Sequence, residues 1–361
     1  MRPAVGRAVT YTWAMTTYSA VVTTGIYCRL GCGARPLAKN VRTFELAAAA
    51  EAAGFRACQR CRPYRTASSV GSSAPELVCQ AWQMIIDGAL DNGGTEARLA
   101  GRVGLSARHL RRLFLQHLGA TPDQLARSRR AHFARRLLDD TDLTVLDIAF
   151  ASGFGSLRQF NRAMREVFRA SPTELRSRRQ RTDRLVADGG LALRLPVLPG
   201  YDWDAARAFL AARVVPRVEA VDGETYRRTI TVGGAPGLLE ISPGGDGYLL
   251  LRAHLPYWEG LIHLVGRVGR LLGIDTDQAG AWSPFEIGVW AILSRGPGPG
   301  SAASSLEAIV TSLGTPVPGL PGGLTHTFPG PEAVTPASLA AIGLPAADAS
   351  AIAALAGGQS S

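Results

Sequence analysis

The chain has 361 residues, a formal net charge of +10 and 46% hydrophobic side chains. It is too long for one ordinary domain and too apolar for a disordered tail, so two to four packed domains are expected. No run of eighteen apolar residues occurs, which excludes a membrane-spanning helix, and the N-terminus lacks the apolar stretch of a signal peptide. A cytoplasmic location is expected.

The charge is unevenly spread. Residues 1–70 carry net +8, residues 71–190 net +6 and residues 191–361 net −4. A basic half points to a polyanionic partner, nucleic acid being the commonest; a solvated basic surface is the plainer alternative. Lys39 is the only lysine among 39 basic residues. Arginine suits bidentate phosphate contacts, although so uniform a bias can also follow from base composition.

Cys28 and Cys32 form one close pair, and Cys58 and Cys61 a second, after a gap of 25 residues. Two such pairs, each fitting one tight turn, are the pattern of a four-thiolate zinc site. Two disulfides are the competing reading, disfavoured because neither an export signal nor a disulfide-rich fold is present. Cys79 lies apart, in the apolar run LVCQAWQMII, and is expected to be a buried small hydrophobe.

The strings TTGIYCRLGCGARPLAKNVRTF and AAGFRACQRCRP resemble the N-terminal domain of the adaptive-response regulator Ada, over about Tyr18 to Pro63. The resemblance implies that one zinc ion is bound by Cys28, Cys32, Cys58 and Cys61. It also implies that Cys28 accepts a methyl group from a methylphosphotriester in the DNA backbone. Thr24, Arg35, Arg56 and Arg60 stand where the family places residues near the reactive site and the DNA; ordinary surface charge is their plainer reading. Zinc holds sulfur as thiolate, which is the nucleophile. Four thiolates on a divalent ion leave two formal negative charges. Methylating one sulfur leaves one, so repulsion from DNA falls and repair becomes a binding switch. Two departures stand out. Leu30-Gly31 replaces the family's Pro-Ser, and the segment before Tyr18 is unrelated, so an incompletely packed domain is expected there.

A small-residue linker, Thr66 to Ser73, precedes a helical run from Pro75 to about Leu90. Next, EARLAGRVGLSARHLRRLFLQHLG has the pattern of helix, turn at Gly104 and a second helix capped by Ser106. Leu99, Val103, Leu110, Leu113 and Phe114 have core spacing. About fifty residues later, DIAFASGFGSLRQFNRAMREVF repeats the plan, with a turn at Gly153-Phe154-Gly155 and a cap at Ser156. A helix from Pro122 to Leu138 links the units, and its arginines, Arg127, Arg129, Arg130, Arg135 and Arg136, are expected on phosphates. Periodicity alone also fits a generic helical bundle. The string IAFASGFGSLRQFNRAMREVFRASPTELR resembles the AraC-type DNA-binding domain, over residues 75–180. The resemblance implies two recognition helices in successive major grooves, with Arg108, His109, Arg111 and Arg112 on the first and Arg158, Gln159, Asn161 and Arg162 on the second.

Beyond the basic run Arg176 to Arg184 the composition changes. YRRTITV and YLLLRAHL have strand character, and a helix is expected over Leu261–Leu272. Leu191 to Asp277 resembles the N-terminal α+β domain of 3-methyladenine DNA glycosylase II (AlkA), with Tyr201-Asp202-Trp203 and Val218-Glu219-Ala220 as recognisable points read as packing residues. SPFEIGVWAIL resembles the start of the catalytic helical region. The run Ser294 to Gly300, rich in Gly and Pro, should end that helix. Neither the family's helix-hairpin-helix nor its catalytic Asp is found beyond that run. Helices at Leu306–Leu313 and Leu339–Leu355 are therefore expected to pack poorly, with low hydrogen-exchange protection over 295–361.

The expected fold class is multidomain α+β. It comprises a small four-cysteine zinc domain over 1–67, an all-α tandem helix-turn-helix domain over 74–182, an AlkA N-terminal-like α+β domain over 190–278 and an incomplete C-terminal helical region over 279–361. The expected function is an alkylation-damage response. One methyl would be taken stoichiometrically by Cys28, and double-stranded DNA and the transcription machinery would be the partners. The chain would be an enzyme only in the single-turnover sense, with glycosylase activity absent. The alternatives are a regulator whose zinc is purely structural and a base-excision glycosylase fusion.

Overall fold

The structure, a computed structural model, describes residues 17–33, 36–66, 74–91, 93–186, 189–274, 280–295 and 299–359. The segment before Tyr18, whose departure from the family led to the expectation of an incompletely packed domain, lies almost wholly outside them.

The N-terminal part is a four-stranded sheet, β1 (Tyr18–Val21), β2 (Ile26–Arg29), β3 (Val41–Phe44) and β4 (Arg56–Ala57), in the order β3-β1-β2-β4. A short helix, α1 (Ala47–Ala52), lies between β3 and β4 in the chain. Side chains alternate along each strand, so Tyr18 and Tyr27 turn to one side and meet edge to face with centroids 5.6 Å apart. Tyr64, just beyond the last cysteine of the cluster, is buried in the same core.

A helical part comes next: α2 (Glu76–Ile86), α3 (Glu96–Arg102), α4 (Ala107–Leu118), α5 (Pro122–Asp140), α6 (Val145–Ala151), α7 (Leu157–Phe168) and α8 (Pro172–Ser177). The starts of these helices are written in the sequence. Thr95, Ser106, Thr121, Thr144, Ser156 and Ser171 each accept a backbone N–H of the first turn through their hydroxyls. Thr121 and Ser171 form full capping boxes, each with proline at the first helical position. The apolar faces of α4 (Leu110, Phe114) and α7 (Phe160, Met164) are fully buried.

The third part is a five-stranded antiparallel sheet. Its strands are β5 (Leu191–Pro196), β6 (Glu219–Asp222), β7 (Thr225–Val232), β8 (Ala235–Gly245) and β9 (Tyr248–His254), in the order β5-β9-β8-β7-β6. Helices α9 (Trp203–Ala211) and α10 (Leu261–Leu272) accompany it. The points read as packing residues do pack: Tyr201 donates to Leu272 O at 2.8 Å, and Asp202 caps α9. Glu219 does more. With Glu286 it flanks Arg228, which is 1% exposed and also lies over the Trp282 ring at 5.1 Å. A guanidinium fork can serve both carboxylates, which is what makes this burial tolerable.

The last helices are α11 (Pro284–Leu293), α12 (Pro299–Leu313), α13 (Pro336–Ala341) and α14 (Ala346–Gln359). Two expectations are corrected here. Residues 339–355 do not form one helix, because Gly343 adopts a left-handed φ of +81° and Pro345 precedes α14. Nor do these helices pack poorly. Phe285, Val289, Leu306, Ile309, Val310, Leu339 and Ile352 form one core, joined by Val215 and Val218 from just before β6. Arg228–Glu286 and the bond from Thr229 Oγ1 to His326 O at 2.5 Å tie that core to the sheet. The helices bury their apolar stripes against one another.

That core makes a checkable claim. Amides of Ile309, Val310 and Ile352 should exchange slowly with solvent. Ile352→Ala, at a fully buried position, should cost roughly 2–5 kcal/mol and speed exchange across α11, α12 and α14 while leaving β5 to β9 protected. Fast exchange throughout 299–359 in the native chain would show that the core does not form.

Candidate metal centre and nucleic-acid interface

The four cysteines meet because of strand register. β2 and β4 run parallel, pairing Ile26 with Arg56 and Tyr27 with Ala57, so Cys28 and Cys58 emerge side by side. The Cys58 N–H donates to Tyr27 O at 3.0 Å. Each cysteine pair is then closed by a turn: Cys32 N–H donates to Arg29 O at 3.3 Å, and Arg62 N–H to Cys58 O at 3.1 Å. All four sulfurs lie within 4.8 Å of one another. Tetrahedral zinc, with Zn–S of about 2.3 Å, needs sulfurs about 3.8 Å apart.

The electrostatics of the donor set also call for a cation. Burial, then the neighbouring Cys58, pushes the Cys28 thiol far above its ordinary value. Burial drives Cys61 up to about 11, with Cys58 and Cys32 adding to it against a hydrogen bond from the Arg29 backbone. Burial also works against ionisation of Cys58, but hydrogen bonds from the backbones of Cys61 and Arg60 outweigh it and hold that thiol low. Four clustered thiols therefore resist shedding their protons together, and a divalent ion is what makes four thiolates compatible. The residues fit one zinc ion. Among the four, Cys28 is buried and the other three are half-buried.

The other residues singled out from the sequence fall around this centre. Thr24 is exposed in the β1–β2 turn, its hydroxyl 3.4 Å from Val21 O. Arg56 is half-buried one strand over, and its N–H donates to Gly25 O at 2.8 Å, which joins that turn to β4. Arg60 is exposed and its guanidinium lies against Gly33, beside Cys32. Arg35 lies outside the described residues.

On α4, Arg108, His109, Arg111 and Arg112 are all exposed. Arg111 is held by Glu96 of α3 through bonds of 3.0 and 2.6 Å. On α7, Arg158, Gln159 and Arg162 are exposed and Asn161 is half-buried. Arg162 pairs with Glu166 at 2.8 Å, and the other oxygen of Glu166 takes Arg127 at 2.8 Å. The arginines of α5, expected on phosphates, each have a partner within the molecule. Arg127 is engaged by Glu166, Arg129 donates to Ile262 O, Arg130 pairs with Asp91, Arg135 pairs with Asp139, and Arg136 lies over the Phe133 ring. α5 sits between other elements, so Arg130 and Arg135 are largely buried in their pairs, while the Arg127 pair stays more than a third exposed. Cys79 is half-buried rather than buried.

Sequence reasoning missed two links between the cysteine centre and α5. Tyr27, next to Cys28 and facing the other side of β2, donates to Glu51 at 2.7 Å, and Glu51 lies 2.7 Å from His132 Nε2 on α5. Arg62 and Arg65, straight after Cys61, reach Asp183 at 2.6 and 3.2 Å; Arg65 also reaches Asp139 at 3.1 Å. The one local signal is the order Cys-Arg-Pro-Tyr-Arg at 61–65, which says nothing of a partner.

Comparison with known proteins fits this arrangement. Three family models match: the metal binding domain of Ada over residues 12–64, a helix-turn-helix domain over 99–178 and the AlkA N-terminal domain over 192–286. A Mycobacterium tuberculosis protein named probable bifunctional transcriptional activator/DNA repair enzyme AlkA is 35% identical over 342 positions, covering 87% of this chain and 68% of that protein. The bifunctional transcriptional activator/DNA repair enzyme Ada of Escherichia coli is 36% identical over 120 positions, covering 33% of this chain and 32% of that protein. Among solved structures, a methylated N-ADA/DNA complex aligns at 36% identity over 32% of this chain and 86% of that chain, with a TM-score of 0.14. A four-cysteine centre, a helix-turn-helix part and a glycosylase-like sheet thus stand in one chain that aligns with the mycobacterial relative along most of its length, and the chain belongs to that family of bifunctional transcriptional activator/DNA repair proteins.

Proposed function

We propose that Cys28 takes a methyl group from a methylphosphotriester in DNA, and that this turns on two-site DNA binding through α4 and α7. The observation that carries the reading is the convergence of four sulfurs within 4.8 Å in the sheet that the Ada metal-binding model matches. Cys28 is proposed as the acceptor because it is the first cysteine of the motif that the Ada metal-binding model matches. Bound zinc would keep the sulfurs deprotonated near neutral pH. The Cys28 Sγ attacks the methyl carbon, the carbon–oxygen bond breaks, and the phosphodiester leaves with the electron pair. No proton moves. The product is a neutral thioether, so a cluster that is costly to bury with two negative charges keeps only one.

Less negative charge beside DNA then favours the bound state. Arg108, His109 and Arg112 on α4 and Arg158 and Gln159 on α7 are the proposed base and phosphate contacts, with Arg111 and Arg162 oriented by their glutamates. Thr24, Arg56 and Arg60 are proposed to steady the damaged backbone near Cys28. Contact with the transcription machinery and a location at the cytoplasmic nucleoid go with this reading. Residues 191–359 are proposed to release no damaged base, because the buried carboxylates among their described residues, Glu219 and Glu286, are both committed to Arg228.

Intact mass with parallel zinc quantification tests the reaction. The protein should hold one zinc and gain one methyl from methylphosphotriester DNA, with the modification on Cys28. Methylation of another cysteine, or none at all, would overturn the assignment. Replacing both Cys58 and Cys61 by Ser should abolish zinc retention and unfold residues 18–63. A domain still folded after that exchange and after chelation would rule out the metal reading.

DNA binding tests the switch. Methylation should tighten specific binding more at low salt than at high salt, because the lost charge is screened. Arg158→Ala should weaken specific binding by about 1–3 kcal/mol and nonspecific binding by less. Equal losses on both would make Arg158 a backbone contact.

A further inference from the structure

The glycosylase-like part is docked on the helical part at a point that touches both helix-turn-helix units. The start of α10 makes the contact. The Gly260 N–H donates to Phe150 O at the end of α6, at 3.2 Å, and Arg129 of α5 donates to Ile262 O at 3.2 Å. His263 Nδ1 donates to Ile86 O at the end of α2, at 3.1 Å, and its Nε2 lies 2.8 Å from Asp91 Oδ2. This second approach is close without being a well-aimed hydrogen bond. Arg270, two turns on, pairs with Asp87 at 2.8 Å.

Asp91 is the shared element. Its other oxygen accepts from an Arg130 guanidinium nitrogen at 3.0 Å, and the same nitrogen lies 3.3 Å from Gly153 O in the turn of the second unit. Gly153 has a φ of +78°, and a Cβ there would stand 2.7 Å from Asp91 Oδ2. The turn of the second unit therefore rests directly on a residue that leads into the first. A Cβ on Gly88, at φ +94°, would meet the His263 ring at 2.9 Å. Both glycines are required by close approach as well as by backbone conformation.

Two recognition helices can read successive major grooves only if their separation and phase match the DNA. The connecting helix α5 sets their distance, and contacts outside it set their tilt. We propose that α10 clamps the two units through the chain His263–Asp91–Arg130–Gly153. On this proposal the glycosylase-like part has a non-catalytic function: it fixes the spacing between the two DNA boxes the protein accepts. The proposal rests on the reading that α4 and α7 bind DNA.

The test uses the full zinc-loaded chain and a randomised duplex library. The native protein should enrich two boxes at one spacing. Its binding should then fall steeply when base pairs are inserted between the boxes. His263→Ala should weaken binding at the native spacing by roughly twofold to thirtyfold while flattening the dependence on spacing. Asp91→Asn keeps the shape of the side chain, serves where the alanine variant fails to fold, and should have the same effect. Arg217→Ala, which breaks a pair with Glu307 away from this contact, should keep the native profile. Unchanged spacing preference in a folded Asp91→Asn or His263→Ala variant would overturn the clamp. Enrichment of no two-box sequence by the native chain would overturn the DNA-reading assignment itself, and the clamp with it.

Discussion

Two adjacent carboxylates at the end of α5 impose the main constraint on this molecule. Asp139 and Asp140 are both buried, and they stand at a helix C-terminus, where the helix dipole already places negative charge. Burial raises the Asp140 carboxyl even with Arg194 against it. Two carboxylates so placed need counter-charge close by. The neutralising groups come from different parts of the chain: Arg65 after the Cys58–Cys61 turn, Arg135 within α5, and Arg194 on β5. The pair thus requires the cysteine centre and the glycosylase-like sheet to be docked on the same helix. Removing Arg194 would leave the buried Asp140 carboxylate with Arg65, at 3.5 Å, as its remaining ion-pair partner among the described residues, which is more costly than losing a surface pair.

The cysteine centre is consequently joined to the helical part by ion pairs of half-buried arginines with buried acids. Arg62 adopts a left-handed φ of +47° directly after Cys61, and its side chain reaches Asp183. Burial works against a charged Asp183, but the bonds from Arg62 and from the Gln180 backbone outweigh it and hold that carboxyl below the usual range. On the other side of β2, Tyr27 and Glu51 reach His132, whose ring packs near Phe168 of α7 with centroids 5.7 Å apart. β2 and the Cys58–Cys61 turn thus reach α5 and the end of α7 through packed contacts.

Much of this is legible in the sequence, and the rest is hidden for identifiable reasons. Cysteine spacing, hydroxyl caps before apolar stripes and strand alternation are local signals, so the metal centre, α4, α7, β7, β9 and α10 can be read directly. The parallel pairing of β2 with β4, which brings Cys28 beside Cys58, is not local and carries no spacing rule. Nor can Glu219 announce itself: its role exists only because β6, β7 and α11 bring it to Arg228 with Glu286. The break between α13 and α14 is marked by Gly343 and Pro345, but apolar periodicity runs across it and masks it. The packing of the last helices depends on partners, within 284–359 and at Val215 and Val218, that only the folded chain identifies.

The arginines make the same point in electrostatic terms. A basic half suggests a broad polyanion-binding surface, yet many of its charges are spent inside the molecule. Arg62, Arg65 and Arg135 each meet buried acids, and Arg130 meets the half-buried Asp91. The planar fork offers several donors, as in the shared contacts of Arg65 with Asp139, Asp140 and Asp183. A lysine offers a compact point charge and would satisfy such a node poorly. Arg108 and Arg112 on α4 and Arg158 on α7 stand exposed instead. α4 and α7 thus keep guanidinium groups facing solvent, while most of those on α5 are engaged within the molecule. The proposed base reading by α4 and α7 would use that distribution, because it needs charge on the element that enters the groove, whereas general attraction to a polyanion would be served as well by α5.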